Sequence, residues 1–242
     1  MVSKLQEGEF ERRYTMHKEH HKEEFKRPEI ILGGQDGLVN VLGVILGVAI
    51  ATSSNNVVIV AGLAAAFAES ISMAAVAYTS RIAEADYYQS EYEMEMWEIE
   101  KYPEEERSEV REIYRTYGFE GKMLEQIVET LTKDKKLWVR VMMEQELRLE
   151  LVDRRGALSY AFIVGVSAIV GSFIPLTAFF FAPTFVAINI SLVISALVLF
   201  IVGYYKAQKT LGRNFMRQGI EMMVIGMCSA LVGYLIGTLF KV

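Results

Sequence analysis

Residues 56–101 admit very few folds. NVVIVAGLAAAFAESISMAAVAYTSRIAEADYYQSEYEMEMWEIEK begins as about 23 almost wholly apolar residues and passes without a break into a carboxylate-rich run. No Pro or Gly falls between Gly62 and Pro103, so nothing interrupts a helix. At 1.5 Å per residue such a stretch is a rod of roughly 65–70 Å. Its first half is long enough to cross a hydrocarbon core of about 30 Å. The second half then stands in water, carrying Glu84, Asp86, Glu91, Glu93, Glu95, Glu98 and Glu100. Glu69 sits inside the apolar half, with Met73 one turn later.

Four further stretches are long and apolar enough to span, so the chain reads as an all-α polytopic membrane protein with five transmembrane helices. The spans fall at about 30–52, 56–79, 157–181, 184–205 and 218–240. The first 29 residues are highly charged and lack an early apolar stretch, so no cleavable signal peptide is expected. Of the 25 basic residues, 24 fall in the N-terminal segment, in 80–156 or in 206–217. By the positive-inside rule that side is cytosolic, which puts the N-terminus inside and the C-terminus opposite. The lone cysteine, Cys228, cannot form an intrachain disulfide, and its apolar surroundings suggest a small buried side chain.

The N-terminal segment 1–29 places Phe10, Tyr14, His17 and His21 at helical spacing, as an amphipathic helix lying on the membrane surface would. His17, His20 and His21, at i, i+3 and i+4, have a chelating spacing, though the same residues suit a solvated face between Lys and Glu.

Within the first span, Asp36 is an ionisable group at the cytosolic interface, and Asn40 follows one turn later. Gly43 and Gly47 continue that stripe as GxxxG, which lets another helix approach closely. Asp36 could instead cap a helix that starts after Gly33–Gly34. Glu69 carries the strongest signal, because a carboxylate within a membrane is costly and marks an ion or proton path. Ala65, Glu69 and Met73 share one face. A thioether beside a carboxylate suits a borderline divalent transition metal better than Ca²⁺ or Mg²⁺. Glu69 could also be a protonated group bonding between helices. Glu221 with Met222–Met223, near the start of the last span, forms a weaker pair.

Residues 80–153 form a soluble insert holding 20 of the 30 acidic residues. Pro103 starts its second helix and Gly118 closes it. A third helix is expected over 121–132 and a fourth over 135–152. The acids make faces: Glu91, Glu95 and Glu98; then Glu105, Glu106 and Glu109; then Met142, Glu146 and Glu150 at i, i+4 and i+8. Packed together, such carboxylates raise one another's pKa, and a bound cation removes that cost. The insert has no His, against a ferritin-like di-iron site. A merely solvated acidic surface is the plainer alternative.

The segments DGLVNVLGVILG and ESISMAAVAYTS, the Glu-rich insert and a FIPL turn in the third span together resemble the vacuolar iron transporter family, from Ile30 to Phe240. The resemblance implies a homodimer that moves Fe²⁺, and often Mn²⁺, out of the cytosol in exchange for protons. It also implies a metal-gathering helical domain. It puts the family's pore Asp on Asp36 and its pore Met on Met73. The family's cytosolic ligands fall on Glu95, Glu98, Glu106, Glu109, Met142 and Glu146. The family's pore Glu falls on Ala65, and Glu69 lies one turn further along the same face.

The expectation is therefore a proton-coupled divalent-metal transporter rather than an enzyme. Asp36, Asn40, Glu69 and Met73 would line the path, and Glu91, Glu95, Glu98, Glu106, Glu109, Met142, Glu146 and Glu150 would gather metal. Its domains would be 1–29, 30–79, 80–153 and 154–242. Its partners would be metal ions as substrate, protons, membrane lipid and a second copy; no permanent cofactor and no nucleic acid are expected. The alternative is a membrane-anchored metal buffer or sensor that transports nothing.

Overall fold

A computed structural model describes residues 27–209 and 214–241; the N-terminal segment with its three histidines lies outside them. Among the described residues the fold is all-helical. α1 is Arg27–Thr52, α2 Asn55–Lys101, α3 Pro103–Thr116, α4 Gly121–Thr132 and α5 Lys135–Val141. A π turn, Met142–Glu146, and a 3₁₀ turn, Arg154–Gly156, lead to α6 Ala157–Phe181, α7 Thr184–Lys209 and α8 Phe215–Leu239. Five helices are long and apolar enough to cross a membrane: α1, α2, α6, α7 and α8. α2 runs unbroken for 47 residues, with no Pro and with Gly62 as its one glycine.

The chain divides into two compact units, one taking residues up to Ala77 and from Leu158 onward, the other Tyr78–Ala157. In the first, α1 is the helix the others pack upon. Val41, Ile45 and Ala49 join one apolar cluster, Leu38 a second, and Leu42 with Leu46 a third. Lipid tails are as apolar as leucine, so close van der Waals packing has to hold such helices together. Glycine supplies that closeness here. A Cβ on Gly233 of α8 would sit 2.1 Å from the Gly43 carbonyl oxygen, and one on Gly171 of α6 would sit 1.9 Å from that of Gly34. The GxxxG stripe of α1 thus has its partner in Gly233 and Gly237 of α8. At the connections between α1 and α2 and between α6 and α7, Asn55 Nδ2 donates to the carbonyls of Phe179 (3.1 Å) and Ala182 (2.7 Å). Thr184 Oγ1 donates to Asn55 Oδ1 at 2.6 Å, tying two connections together.

Three expectations are corrected here. The FIPL segment makes no turn: Pro175 lies inside α6, which continues through it. Cys228 is exposed on the single chain. The packed face of α8 is Gly219, Met222, Gly226, Ala230, Gly233 and Gly237, and Cys228 stands about 200° of helix rotation away from Gly226. The helix expected over 135–152 ends early, because the chain widens to i→i+5 bonding, Leu147 N to Met142 O at 3.1 Å. Arg148 then takes φ 54, outside any right-handed helix.

The second unit is a small helical assembly around Ile99, Val110, Leu124, Val128, Trp138, Val139, Met142 and Met143. Its helices start and stop where local chemistry dictates. Pro103 occupies the first turn of α3 beside Glu104, Glu105 and Glu106, which complement the positive helix end. Gly118 leaves α3 at φ 90, a conformation that favours glycine. The Asp134 side chain caps α5 by accepting from Lys136 N at 2.8 Å.

Candidate metal site

Two groups of candidate ligands assemble, one in each unit, and each is described within its own unit. In the membrane-spanning unit α1 and α2 pair antiparallel, with Gly62 against Ile45. This register brings Asn40 to Glu69, and Asn40 Nδ2 donates to Glu69 Oε2. Glu69 also stands in hydrogen-bonding range of the Asp36 carboxyl. Two carboxyl groups so close repel unless a proton or a cation lies between them. The Met73 side chain packs beside Ala77, Ala161 and Val164. Asp36, Asn40 and Glu69 therefore gather at one level of the α1–α2 pair, with Met73 one turn beyond Glu69 on α2. Asp36 does not cap α1, which begins nine residues earlier at Arg27.

Ala65, one turn from Glu69, packs against the apolar cluster of Val41, Ile45 and Leu176. A carboxylate there would face hydrocarbon side chains, whereas one at 69 meets Asn40 and Asp36. The site is also open: Asp36 and Asn40 are exposed on the single chain and Glu69 is half-buried. Glu221 and Met222 do not form a ligand pair. Met222 is buried against Leu38 and Leu199 while Glu221 is exposed, since adjacent helical residues point about 100° apart. Sequence reasoning passed over Glu29, a buried carboxyl two turns before Asp36 with one oxygen unpartnered. Its signal was the i, i+7 spacing, which returns to the same helix face.

In the other unit, Glu95 and Glu98 lie one turn apart on α2 and Glu106 and Glu109 one turn apart on α3. The tight connection at Tyr102–Pro103 folds these faces together. Glu95, Glu98 and Glu106 each offer a carboxylate oxygen, all within 4.8 Å of one another. Glu95 and Glu106 are each only 5% exposed, and one oxygen of each has no hydrogen-bond partner. Burial first, and then the charges of Glu146, Glu106, Glu98 and Glu109, push the Glu95 carboxyl up to about 8. Burial and then Glu109, Glu98, Glu146 and Glu105 push Glu106 up to about 7. The Glu146 carboxyl, on the π turn, is raised by desolvation first and then by the neighbouring charge of Glu109. No Lys or Arg is among the causes of these three shifts. Buried carboxyl groups with unpartnered oxygens, packed this closely, form a pocket whose protons a divalent cation could replace.

Met142 is fully buried in the core beside that segment. Glu91 lies one turn before Glu95 on α2 and is half-buried. Glu150 is exposed and lines a different cleft, because the helix that was to carry it has already ended.

The VIT family model matches residues 28–238. The chain is 36% identical over 199 residues to vacuolar iron transporter 1 of Arabidopsis thaliana, covering 82% of this chain and 79% of that protein. It is 34% identical over 215 residues to the vacuolar iron transporter of Centaurea cyanus, covering 87% and 86%. It is 32% identical over 222 residues to the vacuolar iron transporter of Plasmodium falciparum, covering 88% and 81%. The match runs from the start of α1 almost to the end of α8 and takes in both ligand groups, so the chain belongs to the VIT family.

Proposed function

We propose that this protein moves Fe²⁺, and Mn²⁺ with it, out of the cytosol across a membrane in exchange for protons. The observation that carries the reading is the cluster of Asp36, Asn40 and Glu69 inside two bilayer-length helices. A carboxylate in a span costs a few kcal/mol on insertion scales, and here two of them converge instead of being dispersed. A carboxyl pair can hold either a proton or a cation, so entry of one favours release of the other. Met73, one turn from Glu69, adds a soft ligand that suits a borderline ion such as Fe²⁺ better than Mg²⁺. The family relatives named as iron transporters support the same cargo.

The Glu95–Glu98–Glu106 group, with Glu109 and Glu146, would gather metal on the cytosolic side. The basic residues flanking the spans support that orientation. A second copy completes the path: on one chain Asp36 and Asn40 are exposed, and ionisable groups do not face lipid. Two such half-sites give one ion enough oxygen and sulfur ligands without histidine. The test is metal uptake into proteoliposomes. Uptake that depends on Glu69 supports transport; metal binding with no uptake would establish the membrane-anchored buffer instead.

A further inference from the structure

The unit Tyr78–Ala157 carries a second cleft, of about 770 Å³, whose lining shares no residue with the glutamate group. Its walls are Tyr88 and Tyr92 of α2, Lys136 and Arg140 of α5, and Arg148 in the segment after the π turn. The tyrosines and the α5 cations each stand at i, i+4, so each pair shares one helix face. Arg148 reaches the cleft through a φ of 54, a left-handed conformation that an L-residue adopts only at a cost.

These cations differ from their neighbours. Lys135 pairs with Glu100, Arg111 with Glu125 and Arg154 with Asp86. Lys136, Arg140 and Arg148 form no ion pair among the described residues, in a segment rich in acids. Two tyrosine hydroxyls and three cationic side chains give this wall many N–H and O–H donors, the chemistry that recognises phosphate oxygens. Glu144 and Glu150 share the lining and leave it one net positive charge, which matches a monoanionic phosphodiester better than a free phosphate dianion. Leu149 and Leu151 line it too, and Leu151 is 79% exposed. Three residues later, at Arg154, the next bilayer-length segment begins.

We propose that this cleft binds the phosphodiester headgroup of an anionic phospholipid, with Leu151 against the start of its acyl chain. Bound lipid would tether an otherwise acidic domain to an anionic membrane surface.

The test is thermal unfolding of the full-length protein in detergent with phosphatidylglycerol, phosphatidylcholine or inorganic phosphate added. Phosphatidylglycerol should raise the Tm clearly, and the other two should not. The Lys136→Gln/Arg140→Gln/Arg148→Gln variant should lose that shift while keeping the shift that Mn²⁺ produces, since its glutamates are intact. Arg148→Gly should be at least as stable as the parent without lipid, because glycine accepts this φ, and yet show a reduced lipid shift. Equal shifts with phosphatidylcholine, or a full shift in either variant, would overturn the site. A full shift with inorganic phosphate alone would assign the cleft to a free anion and overturn the lipid.

Discussion

Glu69 stands one helical turn from the position that the family resemblance assigns to a carboxylate, and the two positions have different surroundings. At 65 a side chain meets Val41, Ile45 and Leu176; at 69 it meets Asn40 and Asp36. Glu69→Gln keeps the shape and the bond to Asn40 but cannot exchange a proton or hold a cation. Metal uptake should fall by at least about tenfold, the loss of roughly 1.4 kcal/mol of interaction, with the helical circular dichroism unchanged. A variant that transports at the parent rate removes Glu69 from the path. Glu95 and Glu106 make a second prediction, because their folded pKa values of about 8 and about 7 lie well above the ordinary 4.5. The folded state therefore binds more protons, so these groups contribute stability that is fully present below about pH 4.5 and lost as pH rises towards 8. Without metal the Tm should decline from pH 5 to pH 8. With Mn²⁺ the decline should be reduced, because the cation replaces the protons. A metal-free Tm that rises over this window would contradict the geometry of the cluster.

At the scale of elements, α1 packs against α8 through glycines as well as leucines. Gly233→Ala places a Cβ against the Gly43 carbonyl and should destabilise the α1–α8 pair by about 1–3 kcal/mol, read as a lowered Tm in detergent. An unchanged Tm would mean that the helices can separate at no cost. The acidic elements should act on capture. Changing Glu95, Glu98, Glu106 and Glu109 together to Gln removes charge that concentrates cations, so the KM for metal should rise several-fold with a smaller change in maximal rate. If the maximal rate vanishes and KM stays, the acidic unit works in the transport cycle itself. Most of these elements were legible in the residues, and for identifiable reasons. Bilayer length and hydropathy mark the five spans, and Pro103 and Gly118 bracket α3. The early end of α5 was not legible: Met142, Glu146 and Glu150 carry a good helical spacing, and only packing of Met142 and Met143 into the core reveals the π turn. The Asn40–Glu69 bond was hidden for a different reason. Both residues could be singled out, but their meeting depends on the register of two antiparallel helices, which glycine contacts set. Cys228 misled because an apolar run in a membrane helix says nothing about which side faces protein.

At the scale of the molecule, the proposed function makes one device of the two groups of carboxyl residues, in which the acidic unit would concentrate a divalent ion and the membrane carboxyls would pass it on. The most direct measurement is Fe²⁺ uptake, under reducing conditions, into proteoliposomes of the full-length protein with and without an imposed proton gradient. Uptake should be fast when the lumen is acidic, slow when the gradient is collapsed, and accompanied by alkalinisation of the lumen. Uptake at the same rate with the gradient present or collapsed, and no change in lumenal pH, would contradict proton exchange through the Asp36–Glu69 pair.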